Sequence, residues 1–233
     1  MRHSRPRVIM TQSRTFERDS DVLSLVHTPL ITTRSLPFDE TVIECHYDWL
    51  ILTSRNAVQH FLPYMKKVRF DRLATIGRKT SERLEQEGLS IDFEPPDYSQ
   101  EGFLAGFPAK SGMRILYPAS AKARPLLYDH LMAAGCAVER FDLYQPVANR
   151  ASEDRIRVLL AQSPYAIAFS SPSGVRAFMK WFTPRDLGNI NVAAIGQVTA
   201  DALEAYGIKS IQPEKETLED MIKLLEDKIV GGV

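Results

Sequence analysis

The chain has 233 residues, 44% of them hydrophobic and 25% charged, which is typical of a globular protein large enough for two small α/β domains. Lysine plus arginine equal aspartate plus glutamate at 29 each, which argues against a protein that coats nucleic acid through positive charge. No apolar run approaches the roughly 18 residues of a membrane span. The basic start, residues 1–7, leads into an apolar run of only three residues, 8–10, which is too short for the hydrophobic core of a signal peptide. We therefore expect a cytoplasmic protein without a membrane partner.

The chain begins with a predicted strand at residues 7–10, and an apolar run follows at residues 22–31. The polar segment between them, residues 11–21, contains 11 residues, enough for about two helical turns. The first crossover is therefore unusually thin. Residues 32–38 then have an extended, linker-like character.

Strands and helices alternate through the middle of the chain, which is typical of a parallel, doubly wound sheet. The dipeptide Pro95-Pro96 interrupts this alternation, and a polar turn is predicted at residues 118–124. The predicted strands are residues 48–53, 73–76, 90–94, 114–117 and 137–143, and the predicted helices are residues 56–65, 80–86 and 100–107 with a fourth that ends at residue 134. This block thus contains five strands.

The last block supplies only three strands, which is too few for such a sheet. Its predicted strands are residues 166–169, 192–195 and 209–212, and its predicted helices are residues 152–161, 174–181, 199–206 and 218–229. If the two N-terminal strands join it, this block also has five.

The sequence therefore predicts an α/β fold with two doubly wound, mostly parallel, five-stranded, flavodoxin-like domains, one inserted into the other. The outer domain is residues 1–31 plus 150–233, and the inserted middle domain is residues 39–143. Residues 32–38 and 144–149 are the two extended linkers that join them.

An internal repeat supports this arrangement. Residues 50–61 return in altered form as residues 168–178, with Ser54 and Ser171 separated by 117 positions. The sequences Ile76-Gly-Arg-Lys-Thr80 and Ile195-Gly-Gln-Val-Thr199 are separated by 119, and residues 7–13 resemble residues 114–120 at an offset of 107. The alternative is that any two α/β units look alike, since such strand-to-helix sequences are common.

Each copy of the repeat ends its strand with two hydroxyl residues, Thr53-Ser54 or Ser170-Ser171. Serine is a preferred N-cap, and Pro172 suits the first position of a helix because its missing N–H has no partner there. We predict that Ser54 and Ser171 are N-caps.

The cysteines and histidines show no ligand spacing. Cys45 and Cys136 are far apart and outside any C-x-x-C pattern, which favours buried free thiols. We expect no metal, and we expect the histidines on the surface or half-buried: His3, His27, His46, His60 and His130.

Together these motifs resemble the uroporphyrinogen-III synthase family. The features that carry the resemblance are two interleaved domains, the Thr53-Ser54 turn, Ser171-Pro-Ser-Gly174, the repeated Ile-Gly-x-x-Thr and the linker Tyr144-Gln-Pro-Val147. The thin first crossover and the glycine-poor turn at residues 118–124 depart from the usual pattern of the family.

The resemblance implies closure of hydroxymethylbilane, a linear tetrapyrrole with eight carboxylates, to uroporphyrinogen III with inversion of the last ring and loss of water. It implies no cofactor. Tyr144 is the expected catalytic residue, as proton donor to the leaving hydroxyl, although it could instead only pack the hinge. We expect a monomer that receives its substrate by transient hand-over from the preceding pathway enzyme.

Ligands of open parallel sheets bind beyond the carboxyl ends of the strands, where helix N-termini point, so the repeated turns are expected to hold the substrate carboxylates. Pure capping is an equally good reading of the hydroxyls, and the basic side chains could simply be solvated. Gly174 would allow close approach of a carboxylate to the backbone. The candidate substrate-binding residues are Thr53, Ser54, Asn56, Lys79, Thr80, Ser120, Lys122, Arg124, Ser171, Ser173, Gly174, Gln197 and Thr199.

Two other functions remain open from the sequence. A non-catalytic, two-lobed ligand-binding or sensor protein for a polyanionic small molecule would use the same turns. A phosphate-transfer enzyme is disfavoured because neither G-x-x-x-x-G-K-[ST] nor G-x-G-x-x-G occurs.

Overall fold

The structure is a computed structural model that describes residues 5–13 and 18–231. Strands alternate with helices along most of the chain, which confirms the predicted α/β class with parallel sheets. Contacts divide the described part into two units. One unit runs from Thr33 to Pro146, and the other contains the chain up to Thr32 together with the chain from Val147 onward.

The strands of the described residues are β1 (Arg7–Met10), β2 (Ser24–His27), β3 (Ile31–Ser35), β4 (His46–Leu52), β5 (Arg69–Thr75), β6 (Arg114–Ser120), β7 (Ala137–Ala148), β8 (Ala166–Phe169) and β9 (Asn191–Ala194). The α-helices are α1 (Arg55–Phe61), α2 (Arg78–Glu85), α3 (Gln100–Gly106), α4 (Leu126–Ala133), α5 (Arg150–Ala161), α6 (Pro172–Phe178), α7 (Gln197–Glu204) and α8 (Leu218–Val230). Short 3-10 helices lie at Glu40–Glu44, Leu62–Tyr64 and Pro184–Leu187.

Each unit contains one sheet. The strand order is β3-β7-β6-β4-β5 in the Thr33–Pro146 unit and β2-β1-β8-β9 in the other. Parallel pairing joins β7, β6, β4 and β5 in the first sheet and all four strands of the second. Because parallel strands end at the same edge of a sheet, the loops that follow β4 and β6 lie side by side.

Both faces of each sheet are buried, because side chains alternate along a strand and helices cover each face. In β4, Leu50 and Leu52 belong to one core cluster, whereas Trp49 and Ile51 belong to a second. Strand β8 alternates between two clusters in the same way. This explains why the central strands are uninterrupted apolar runs in the sequence.

The predicted strand at residues 90–94 is wrong. Only Phe93 forms a bridge, and its partner is Ala74. The Leu73 N–H donates to the Asp92 carboxylate at 2.8 Å, whereas in a longer strand it would donate to a backbone carbonyl. Pro95 and Pro96 follow directly and have no N–H to donate. The fifth strand of this sheet is instead β3, from the segment predicted to be a linker.

The outer sheet has four strands in the described residues rather than the predicted five. The predicted strand at residues 209–212 is reduced to one bridge between Ile211 and Ala193. Pro213 follows at once and cannot continue the ladder.

Other elements also differ from prediction in their bounds. Strand β6 continues to Ser120 through the predicted turn. Pro118 is tolerated because it lies beyond Ile115 and Leu116, the residues of β6 that pair with β4, so the N–H that proline lacks is not needed for that pairing. Helix α1 ends at Phe61, and Pro63 lies in the 3-10 turn that follows. The expected helical turns at residues 11–21 fall partly outside the described residues, and residues 11–13 and 18–21 contain no helix.

No helix in the described part of the chain is both long enough and apolar enough to cross a membrane. Within residues 5–13 and 18–231, no group of His, Cys, Asp and Glu side chains is arranged to hold a metal ion.

Candidate active site

Tyr144 lies in β7 at the carboxyl edge of the middle sheet, with 6% of its surface exposed. Its hydroxyl is 2.9 Å from Ser54 Oγ, and either atom can be the donor. Ser120 at the end of β6 is the register partner of Tyr144, so three neighbouring strands bring these side chains to one place. Ser54, one of the predicted binding residues, and Tyr144, the predicted catalytic residue, are therefore in direct contact.

Ser54 reaches Tyr144 because it is the N-cap of α1. Its backbone is extended, and its Oγ accepts the Ala57 N–H at 3.1 Å, as predicted from the hydroxyl that follows the strand. The cap fixes the rotamer of the Ser54 side chain and so the position of its hydroxyl group. Asn56, in the first turn of the same helix, is exposed.

Two groups near Tyr144 were not predicted. Burial raises the pKa of the Tyr117 phenol, and the neighbouring Thr53 hydroxyl and Arg140 guanidinium oppose that rise. Arg140 is 3.0 Å from Asp142, with its side chain half-buried. A single arginine in a strand carries no sequence signal that would have identified it.

His60 is the third group that sequence reasoning missed. Its ring stacks on that of Tyr144, with the centroids 4.9 Å apart and the planes 8° from parallel. Its two nitrogens contact hydroxyls of β3, Nδ1 with Ser35 Oγ at 2.7 Å and Nε2 with Thr33 Oγ1 at 2.8 Å. Burial lowers the pKa of His60.

The turn after β6 contains the predicted basic residues. Ser120 Oγ accepts the Lys122 N–H at 3.2 Å, and the Lys122 side chain is exposed. Arg124 pairs with Glu101 at 2.9 Å, and this hydrogen bond lowers the pKa of the Glu101 carboxyl. Both partners of the pair are on the surface, where ion pairs are weak, so the pair does not prevent Arg124 from binding another anion.

The start of α2 is only partly open. Lys79 is exposed, whereas Thr80 is 5% exposed and its N–H donates to the Gly77 carbonyl at 2.7 Å. Ser81, one residue further, contacts Thr75 Oγ1 at 2.6 Å and donates to Glu94. Thr80 thus lies inside the helix–sheet packing.

In the outer unit, Ser171 is the N-cap of α6, and Pro172 occupies the first position, as predicted. Ser171 Oγ accepts the Gly174 N–H at 3.2 Å and lies 2.9 Å from Ser173 Oγ. The Gly174 N–H is therefore already paired. A Cβ on Gly174 would meet Ser171 Oγ at 3.5 Å, an ordinary contact, so local packing alone does not require glycine there.

The start of α7 differs from expectation. The Gln197 N–H, expected to be free for a substrate carboxylate, donates to Glu216 Oε1 at 3.1 Å. Thr199 is 3% exposed, and its N–H bonds to the Gly196 carbonyl. A Cβ on Gly196 would lie 2.1 Å from the Glu216 carboxyl carbon, so any side chain at this position would have to displace that carboxylate. The protein's own carboxylate occupies the expected anion site.

The uroporphyrinogen-III synthase (HemD) family model matches residues 22–223. A relative from Methanothermobacter thermautotrophicus is 32% identical over 77% of this chain and 77% of its own length. The uroporphyrinogen-III synthase of Synechococcus elongatus is 27% identical over 82% of this chain and 79% of its own length.

A crystal structure of uroporphyrinogen-III synthetase from Helicobacter pylori has a similar fold. Its TM-score is 0.61 at 20% identity, over 95% of this chain and 98% of that one. These comparisons give no support to the alternative of a non-catalytic sensor. Because the family model spans most of the sequence, the chain belongs to the uroporphyrinogen-III synthase family.

Proposed function

We propose that this chain closes hydroxymethylbilane to uroporphyrinogen III, with inversion of the last pyrrole ring and loss of water, and that Tyr144 donates the proton to the leaving hydroxyl. Family membership supports the reaction. The contact between Tyr144 and Ser54 supports the role of the tyrosine, because it holds a phenol proton donor at the carboxyl edge of a parallel sheet.

Strand order supports both the location of the site and the finer description of the fold. The series β7-β6-β4-β5, followed by the Phe93 bridge, corresponds to β2-β1-β8-β9, followed by the Ile211 bridge. The outer series has the flavodoxin-like order 2-1-3-4-5, and the middle series, numbered in chain order, is 5-4-1-2-3, a circular permutation of the same order. Ligands of such sheets bind where the strand order reverses. In the middle sheet the strand order reverses between β6, whose last residue is Ser120, and β4, which ends two residues before Ser54.

This correspondence also supports the proposed domain arrangement. A flavodoxin-like middle domain, residues 39–143, is inserted into a flavodoxin-like outer domain made of residues 1–31 and 150–233. Residues 32–38 and 144–149 connect them. The monomeric state, the cytoplasmic location and the hand-over of substrate from the preceding enzyme are further parts of the proposal.

The proposed chemistry begins with departure of the terminal hydroxyl. Ser54 Oγ already accepts the Ala57 N–H, so its own proton can be donated to the Tyr144 oxygen. The phenol proton is then directed to the substrate hydroxyl. The C–O bond breaks, water leaves with this proton, and the pyrroles stabilise the azafulvene cation that remains.

Proton donation by Tyr144 is expected to supply only part of the rate enhancement. Phenols are weak acids near neutrality, with a pKa of about 10, and general acids contribute roughly 10²–10⁴-fold. Closure without inversion competes in solution, so the rest of the enhancement must come from positioning the flexible chain for the spiro route.

The carboxylates of the substrate require local donors, because the net charge of the chain is zero. We propose that Thr53, Asn56, Lys79, Ser120, Lys122 and Arg124 supply them from the middle domain. From the outer domain we propose Ser171, Ser173, Gly174 and the start of α7. At α7 the substrate has to displace Glu216 from the Gln197 N–H.

The test is to add the purified protein, in substoichiometric amount, to freshly generated hydroxymethylbilane and to separate the product isomers. We expect isomer III to replace isomer I over many turnovers. A mixture that stays isomer I, with the tetrapyrrole nevertheless bound, would instead favour a binding protein.

A further inference from the structure

His60 connects three elements of the middle unit. It lies in α1, six residues after the cap Ser54, and its nitrogens contact the β3 hydroxyls of Ser35 and Thr33. Its ring face covers Tyr144 of β7. Both ends of α1 therefore meet the same tyrosine, Ser54 at the hydroxyl and His60 at the ring.

The two hydroxyls hold the imidazole in a fixed orientation. A neutral imidazole has one N–H donor and one acceptor nitrogen, and a hydroxyl can complement either of them, so both nitrogens are satisfied in either tautomer. The burial that lowers the pKa of His60 favours this neutral form. A ring anchored at two points leaves the stacked tyrosine little freedom to tilt.

Orientation matters at Tyr144 because its hydroxyl has a narrow geometric target. The phenol oxygen must stay 2.9 Å from Ser54 Oγ while its proton is directed to the substrate. Tilting the ring about its Cβ moves the hydroxyl most, since this atom is farthest from the backbone. Errors of about 1 Å in a reacting group can cost about 10²-fold in rate.

We propose that His60 is a positioning residue for Tyr144: anchored by Thr33 and Ser35, its ring holds the tyrosine hydroxyl against Ser54. The kinetic consequence rests on the proposed function of Tyr144 as the acid. The structural consequence, a constrained Tyr144 hydroxyl in the free protein, does not depend on that function.

The structural part is tested by the exchange of the Tyr144 hydroxyl proton, measured by NMR on protein with ¹³Cζ-labelled tyrosine and assigned by loss of the signal in Tyr144→Phe. We expect His60→Ala to speed this exchange at least about fivefold, because the Ser54 contact breaks more often. The exposed His46, which pairs with Asp71, provides the control, and His46→Ala should leave the exchange unchanged. Equal exchange in His60→Ala and the wild type would overturn the proposal.

The kinetic part is tested by a double-mutant cycle. We expect His60→Ala to lower kcat about tenfold with KM little changed, and the Thr33→Val/Ser35→Ala double variant, which removes only the anchors, to lower it in the same direction. In a Tyr144→Phe background, His60→Ala should have little further effect on kcat. Fully additive losses would mean that His60 does not act through Tyr144.

The two proposals fail in different ways. If Tyr144→Phe keeps full turnover, the acid role of Tyr144 is wrong, while the exchange experiment still decides whether His60 holds the hydroxyl. If Tyr144→Phe is impaired but the exchange is unchanged in His60→Ala, the acid role stands and the positioning role of His60 is wrong.

Discussion

Ser54 combines two roles at one oxygen atom. It caps α1 by accepting the Ala57 N–H, and it contacts the Tyr144 hydroxyl. Its repeat counterpart Ser171 caps α6 in the same way but contacts another serine instead of a phenol. Ser54 and Ser171 therefore form a matched pair: both cap a helix, and only Ser54 contacts a tyrosine.

We predict that Ser54→Ala and Ser171→Ala each lower the free energy of unfolding by about 1 kcal/mol, the usual loss for an N-cap. Only Ser54→Ala should also lower kcat, by roughly tenfold, whereas Ser171→Ala should act on KM. Urea denaturation and steady-state kinetics of both variants measure this. Equal kcat values would argue against a catalytic role for the Ser54–Tyr144 contact.

The lowered pKa of His60 predicts a pH dependence of stability. Burial is the cause, so the folded protein keeps His60 neutral at pH values where the unfolded chain is already protonated. Stability from this group is complete above the ordinary histidine pKa of about 6.5 and is lost as the pH falls below it towards the folded pKa.

The measurement is the free energy of unfolding of the wild type and His60→Phe near pH 7.5 and near pH 5.5. We expect the advantage of the wild type to be smaller at the lower pH. A gap that stays constant or widens on acidification would contradict a histidine held neutral by burial.

Among the site residues, those that follow a strand were predictable and those that meet across the fold were not. Ser54 and Ser171 follow apolar runs and precede helical periodicity, which is a local signal for a cap. Tyr144 was identified through the resemblance to the uroporphyrinogen-III synthase family, which includes a tyrosine in the second linker. The contact of His60 with Tyr144 joins residues 84 positions apart, and no local pattern reports such a contact.

At the scale of elements, the start of α7 is where the structure changes the expectation most. Glu216 accepts the Gln197 N–H and lies next to Gly196, so a substrate carboxylate bound at the proposed site would compete with it. A carboxylate at a helix N-terminus is typically worth about 0.3–1 kcal/mol, which a substrate group can readily offset.

We predict that Glu216→Ala lowers the free energy of unfolding by about 0.5 kcal/mol and lowers KM about two- to fivefold, because the anion site becomes open. Thermal melting and steady-state kinetics check the two effects. Glu219, in the first turn of α8, serves as a control, and Glu219→Ala should leave KM unchanged. An unchanged KM in Glu216→Ala would remove the start of α7 from the binding site.

Central strands and helices of the fold were predictable because their apolar patterns decide their packing. The edges of the sheets were not. Residues 90–94 and 209–212 lie where the alternation of strands and helices predicts a fifth strand, yet each forms only a single bridge and is followed directly by proline. Strand β3 has only one apolar residue, Ile31. It forms a strand because the backbone of β7 is available for pairing on the side away from β6.

At the scale of the whole molecule, the proposed insertion of one domain into the other predicts which fragments fold. Residues 39–143 form a continuous block and should fold alone, whereas residues 150–233 should not, because β1 and β2 are missing from their sheet. We expect residues 31–148 to melt at a higher temperature than residues 39–143, since they keep β3, Tyr144 and the contacts of His60.

Circular dichroism of the three fragments measures this. The proposed insertion would be wrong if residues 39–143 were unfolded while residues 150–233 folded alone. A fragment 31–148 no more stable than 39–143 would show that β3 contributes little to the middle domain.

The most direct test of the central claim compares the wild type with Tyr144→Phe, a change that removes one hydroxyl. Single-turnover formation of isomer III is measured together with the Kd for a product-like tetrapyrrole, and the melting temperature serves as the control for folding. We predict a loss of roughly a hundredfold in rate with Kd within about twofold of the wild type, because the acid acts on the chemical step. Formation of isomer III at the wild-type rate by Tyr144→Phe would contradict the account.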